Sequence, residues 1–152
     1  EGIESAINEL DLPIPGELTI SGAGCVRACI HRDQIEQCFA SIAEMRQLGA
    51  DVSKCQREFF DAGALGQCTL SVRGRKEGDV VDVWRRGHRK LKKLFQESKI
   101  PVESRNSVPI IADGERILWV PGIARANFAP VTELSKEVIE LQFEADWKVG
   151  GQ

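Results

Sequence analysis

Three features of these 152 residues point to an α+β fold, a small mixed or antiparallel sheet with a basic amphipathic helix packed on it. Short runs of alternating apolar and polar residues, bounded by Gly, Pro and Asp, recur along the length, as half-buried strands require. Only two stretches place apolar residues at helical spacing. No internal repeat or low-complexity linker interrupts the pattern, so residues 1–152 are expected to form one domain with sub-parts 1–68 and 69–152.

In chain order, LPIPGELTI (12–20) reads as a turn-rich loop leading into a strand, and CVRACIH (25–31), after Gly22 and Gly24, as its hairpin partner. Asp33 and Glu36 form a D-x-x-E capping signature. Ile35, Cys38, Phe39, Ile42 and Met45 follow at helical spacing until Gly49, which predicts a helix over 33–48. Gln56 to Phe60 and Gln67 to Arg73 read as strands joined by a turn in DAGALG. GRKEGD (74–79) is a charged loop, and VVDVW continues as strand or turn until Arg85, Arg86 and Gly87 break it. A second helix is expected to begin near His88. Leu91, Leu94, Phe95 and Ser98 share one of its faces, Arg89, Lys90, Lys92, Lys93 and Gln96 lie on the others, and Pro101 ends it by Ile100. VESRNSV adds a helical turn, PIIADGERILWV is a hairpin about Asp113 and Gly114, and IARANF is a short strand after Pro121 and Gly122. In EVIELQFEA, Ile139, Leu141, Phe143 and Ala145 alternate with polar residues, as in a half-buried antiparallel strand.

With 42% hydrophobic and 28% charged residues and 6 Pro, the composition is ordinarily globular. A chain of this length buries roughly 70% of its unfolded surface. No apolar run nears the ~20 residues of a membrane helix, and EGIESAINEL lacks the basic and apolar regions of a secretory signal. A cytoplasmic location with no membrane partner is the expectation. The opening on Glu1, in a stretch that reads as the tail of a helix, predicts a segment of a longer protein.

Five cysteines (Cys25, Cys29, Cys38, Cys55, Cys68) without close CxxC pairs fit a reducing compartment. A zinc set of Cys25, Cys29, His31 and Cys38 would bring Arg27 onto the same strand face, so free thiols and no metal are expected. SGAG (21–24) resembles the start of a phosphate loop but lacks the Lys-Ser/Thr that would bind nucleotide and magnesium. His31 and His88 are the two histidines, with no HxxxH or Ser-His-Asp arrangement around them. No catalytic residue and no cofactor-binding residue can be named.

The net charge of −3 is segregated. Residues 1–72 carry −6 and residues 106–152 carry −3, whereas residues 73–105 hold eleven basic against five acidic side chains, giving +6. A basic stripe on an acidic chain is the footprint of a polyanion site, because neutralised phosphates release their counterions. The plainer alternative is a solvated helix face.

The run LSVRGRKEGD (70–79), GHRKLKKLFQESKIP (87–101), Arg105, Pro109 and ILWVPGI (117–123), together with LPIPGE (12–17) and EFFDAGAL (58–65), resembles the C-terminal domain of tRNA(Ile)-lysidine synthetases. Val80, Lys93 and Ala124 depart from that pattern, and the resemblance does not extend over residues 33–55. It implies the small α+β fold shared with a domain of the phenylalanyl-tRNA synthetase β-subunit. It also implies a parent ligase that uses ATP, with magnesium, to attach lysine to the wobble cytidine of isoleucine tRNA with a CAU anticodon. Those steps belong to an N-terminal catalytic domain with an SGGxDS loop, a sequence this chain does not contain.

The resulting expectation is a tRNA-binding C-terminal fragment, itself inactive and without a cofactor, with tRNA and its own catalytic domain as partners. Arg73, Arg75, Lys76, Arg89, Lys90, Lys92, Lys93 and Arg105 are the expected contacts to phosphate and ribose, since A-form RNA exposes its backbone rather than its major-groove edges. The rival expectation is a docking module whose basic helix meets an acidic protein surface.

Overall fold

A computed structural model describes residues 7–48, 55–66, 69–114 and 116–145. The elements are β1 (Leu10–Asp11), β2 (Gly16–Ile20), β3 (Gly24–His31), α1 (Ile35–Leu48), β4 (Cys55–Asp61), α2 (Ala62–Leu65), β5 (Leu70–Arg73), β6 (Val80–Val83), β7 (Gly87–Lys90), α3 (Leu91–Glu97), a 3-10 helix (Val102–Ser107), β8 (Ile110–Asp113), β9 (Arg116–Val120), β10 (Ala124–Arg125) and β11 (Val138–Ala145). They form a five-stranded sheet β1-β5-β8-β9-β10, a four-stranded sheet β2-β3-β11-β4 and the hairpin β6-β7, with every described pairing antiparallel.

The five-stranded sheet is the middle layer because its strands are apolar on both faces. Leu70, Val72, Ile111, Leu118 and Trp119 pack with Val26, Phe60, Ile139, Leu141 and Phe143 of the four-stranded sheet. Its opposite face places Ile110, Ile117 and Val120 against Val81 and Val83 of the hairpin and Leu91, Leu94 and Phe95 of α3. The expected apolar faces of α3 and β11 are therefore in the core. Strand β11 lies between β3 and β4, and β1 pairs with β5, so the sheets interleave the two sequence sub-parts instead of dividing near residue 68.

Three local expectations change. The stretch DAGALG contains α2, whose N-terminus is capped by Asp61 Oδ1 accepting from Gly63 N–H at 3.0 Å, so it is not a simple turn. The strand expected from Gln67 begins at Leu70, and residues 67 and 68 lie outside the described ones. Most consequentially, His88 does not open a helix. Arg85 (φ 64°) and Gly87 (φ 80°) adopt left-handed conformations that turn the chain back, Gly87–Lys90 pairs with Val80–Val83, and the helix begins at Leu91.

Two charged side chains lie in the framework, of which Glu140 stands at an alternating position expected to face solvent. Glu140, 4% exposed on the central strand β11, accepts from His31 Nε2 (2.8 Å), Arg57 Nε (2.7 Å) and Gln142 Nε2 (2.8 Å). Burial pushes its carboxyl up, but these donors outweigh burial and hold it below the ordinary carboxylate value. Arg125 pairs with Glu58 at 3.1 Å and donates to the carbonyls of Phe59, Ala126 and Phe128, joining β10 to β4.

Candidate nucleic-acid interface

The residues expected to meet RNA are sorted by the structure into two groups. Arg73 ends β5 and is 4% exposed. Its Nη1 and Nη2 donate to Asp79 Oδ2 (3.1 Å) and Oδ1 (3.0 Å), and Nη1 also donates to the Gly74 carbonyl (2.9 Å). Arg105, 8% exposed, donates from Nε to the Ile100 carbonyl at 2.9 Å and lies 5.6 Å from the Phe95 ring centroid. Both guanidiniums belong to the framework. A buried cation must be paired or hydrogen-bonded, and these are.

The remaining expected contacts are displayed by that framework. Asp79 is the junction: besides Arg73, its Oδ2 accepts from Lys76 N–H at 2.7 Å, and its carbonyl accepts from Leu91 N–H at 2.9 Å. One carboxylate thus shapes the 74–79 loop, and its own backbone caps the start of α3. Arg75 Nε donates to Asn106 Oδ1 at 2.8 Å, which ties the same loop to the 3-10 helix. Lys76 is exposed, with Glu9 3.7 Å away.

Lys90, Lys92 and Lys93 occupy the N-cap, second and third positions of α3 and are exposed. Among the described residues no acidic side chain pairs with them, nor with Arg85, Arg89 or Lys99, whereas Arg86 pairs with Glu97 at 3.0 Å. A helix N-terminus carries the positive end of the macrodipole and favours acidic residues; α3 has none in its first turn. Its lysines add to that positive potential. Arg89 and Lys90 project from β7, not from the helix, because the chain is extended there.

Sequence reasoning missed Arg85, held exposed by the hairpin turn beside Trp84; Arg116, outside the basic segment, lines a separate groove beside this corner. The clue for Arg85 is the Arg-Arg-Gly turn itself. The local partner of Arg116 is Asp113, but the groove it lines is legible only in the fold, because Val80, Asp82, His88 and residues 126–128 come from elsewhere in the chain.

The thiols point to no chemistry. Burial chiefly, and then the Glu17 carboxylate, pushes the Cys25 thiol up; burial chiefly, and then Glu140, pushes up Cys38. Arg27, paired with Glu17 at 3.1 Å, stands between Cys25 and Cys29 along β3. Among the described residues no three His, Cys, Asp or Glu side chains gather as metal ligands, and no helix is long and apolar enough to cross a membrane.

This fold and this corner define a class: a small layered α+β domain whose framework arginines support a cluster of cations, without acidic partners among the described residues, around one hairpin and helix. Comparison with known proteins makes it particular. Residues 70–141 match the TilS substrate C-terminal domain family. A crystal structure of a TilS C-terminal domain superposes with a TM-score of 0.71 at 26% identity, covering 93% of this chain and 98% of that one. Over residues 70–141, just under half of its length, the chain matches the C-terminal domain family of tRNA(Ile)-lysidine synthases, and over 93% of its length it shares the fold of one such domain.

Among whole relatives, the tRNA(Ile)-lysidine synthase of Thermotoga maritima is 55% identical over 60 residues, 39% of this chain and 14% of that protein. The synthase of Caldanaerobacter subterraneus is 29% identical over 134 residues, 87% of this chain and 26% of that protein. The chain thus spans about a quarter or less of the length of these relatives. An N-terminal fragment of the phenylalanyl-tRNA synthetase β-subunit from Pyrococcus horikoshii shares the fold, with a TM-score of 0.57 at 15% identity over 82% of this chain and 40% of that one.

Proposed function

We propose that this chain is the tRNA-gripping part of a tRNA(Ile)-lysidine synthase and that its hairpin and helix corner holds the phosphate backbone. The observation that carries the reading is the placement of Lys90, Lys92 and Lys93, without acidic partners among the described residues, at the positive end of α3. Arg75, Lys76, Arg85 and Arg89 extend the contact, while Arg73 and Arg105 act behind it by fixing the 74–79 loop and the segment after α3. Contacts of this kind position an RNA without reading its bases.

The ligase step, in which ATP with magnesium activates the wobble cytidine of isoleucine tRNA with a CAU anticodon and lysine is joined to it, is assigned to the catalytic domain that is this chain's partner. The chain alone grips and does not turn over. Titrating it with isoleucine tRNA at several salt concentrations tests the reading. Binding with a log–log salt slope steeper than about −3, the value for four or more neutralised phosphates, is expected. Failure to bind tRNA, with salt-sensitive binding to an acidic protein partner instead, would establish the docking module.

A further inference from the structure

Beside the basic corner, a groove of about 550 Å³ runs between the outer face of the β6-β7 hairpin and the segment 126–128. Val80, Asp82 and His88 form one wall; Arg116, Asn127 and Phe128 form the other. The walls are fixed to each other: Asn127 N–H donates to the Asp82 carbonyl at 2.7 Å, and Val83 bridges to Ala126. The groove therefore exists before any ligand arrives, in the size range of small-ligand sites.

Its distinctive part is Arg116. The guanidinium carbon lies 3.6 Å from the Phe128 ring centroid, the distance of a plane stacked on a ring. Nη2 pairs with Asp113 Oδ2 at 2.9 Å, which offsets the charge and holds the fork in place. With its side chain 47% exposed, Arg116 retains accessible surface beyond the Phe128 contact, which a second flat, electron-rich ring can use. Val80, 42% exposed, adds an apolar contact, and the His88 ring and the Asn127 amide supply polar groups that suit a base edge. Lys90 pairs with Val80 in the hairpin, so a backbone held at the corner passes the mouth of this groove.

We propose that the groove takes one unpaired nucleobase of the bound RNA, stacked on the Arg116 guanidinium. A base inside a duplex has both faces covered by its neighbours and cannot enter; an unpaired one can. The inference rests on the RNA-gripping reading and adds to it a site that prefers single-stranded over paired nucleotides. Because Asp113 offsets the charge of Arg116, that preference comes from stacking and is insensitive to salt, unlike the grip itself.

The test compares two RNA hairpins of equal stem length, one blunt and one with a single-stranded end bearing 2-aminopurine. The wild-type chain is expected to bind the overhang RNA about tenfold more tightly, as one base–side chain stack allows, with the same ratio at low and moderate salt and with quenched 2-aminopurine emission. Arg116→Lys keeps the charge and removes the plane; it should abolish the ratio and the quench while leaving the blunt hairpin's affinity and salt slope unchanged. Equal binding of the two hairpins by the folded wild type, or a preference that survives Arg116→Lys, overturns the groove alone. No binding of either hairpin overturns the grip and the groove with it.

Discussion

Replacing Lys90, Lys92 and Lys93 together by glutamine tests the proposed grip where its cations lie closest together in sequence. Lys90 is the N-cap of α3 and Lys92 and Lys93 lie in its first turn, all exposed and outside its packed face of Leu91, Leu94 and Phe95, and glutamine has nearly the helix propensity of lysine. On the proposed reading they neutralise about three phosphates, each contributing roughly 0.7–0.9 to the log–log salt slope, so the slope should fall in magnitude by about 2–3. Stability should move the other way. A cation at a helix N-terminus is disfavoured by about 0.3 kcal/mol or more at an exposed site, so the triple variant gains up to about 1 kcal/mol, or about 2–4 °C in midpoint for a domain of this size. Anisotropy titrations with tRNA between about 50 and 200 mM salt, with urea unfolding of both proteins, measure both quantities. Affinity should fall alike for isoleucine and other tRNAs, because phosphate contacts carry no sequence information. An unchanged slope in a folded variant would refute the assignment of these lysines to RNA, and a less stable variant would refute the dipole argument.

Arg73→Gln should behave in the opposite sense: it removes one partner of a buried pair and leaves Asp79 uncompensated, so unfolding experiments should show a loss of about 3–5 kcal/mol. Glu140 makes stability depend on acid. Its folded-state pKa is lowered, so its contribution is present above the unfolded carboxylate value near 4.3 and is lost as pH falls through the lower folded value. Glu140→Gln should lower stability by about 2 kcal/mol at neutral pH, since an amide cannot accept from His31, Arg57 and Gln142 as the carboxylate does, and should flatten the acid limb of the midpoint-versus-pH curve. An acid limb of wild-type steepness in that variant would contradict the assignment. Finally, the chain incubated with ATP, lysine and isoleucine tRNA should release no AMP above background, whereas tRNA-dependent AMP would place catalytic chemistry in it.

What the sequence disclosed was local. The Asp113-Gly114 hairpin, the alternation of Ile139, Leu141 and Phe143, and the packed face of α3 follow from turn chemistry and period, and each stands where those rules put it. The stretch GHRK was misread because four residues without apolar periodicity fit a strand or a first helical turn equally. Pairing with Val80–Val83, made possible by two left-handed residues, decides it. The interleaving of β11 between β3 and β4 was illegible, since pairing between residues about a hundred positions apart leaves no mark on either segment alone. At the site, an arginine bound for the interior looks like one bound for solvent. For Arg73 the available signal was Asp79, six residues on across a Gly-bounded loop, and reading it requires the loop to close. Glu140 was assigned to solvent by alternation alone; its partners His31 and Arg57 meet it only when β3 and β4 flank β11.

A net charge of −3 does not argue against RNA binding by this chain, and the geometry says why. A folded domain of this length has a radius of gyration of about 15 Å, whereas charges at physiological salt are screened over about 8 Å. An approaching phosphate therefore meets the cations of one corner and not the sum over the molecule. Within that corner, side chains already neutralised by partners, such as Arg73 with Asp79 and Arg86 with Glu97, contribute little field. The attraction comes from the minority without acidic partners among the described residues, set at a helix end whose dipole adds to them. The acidic remainder, residues 1–72 at −6 and 106–152 at −3, acts at longer range and lower salt, where it opposes the approach of a polyanion. On the proposed reading the segregation sets the orientation in which RNA would dock, and loss of the acidic background should increase non-specific binding without strengthening the corner itself.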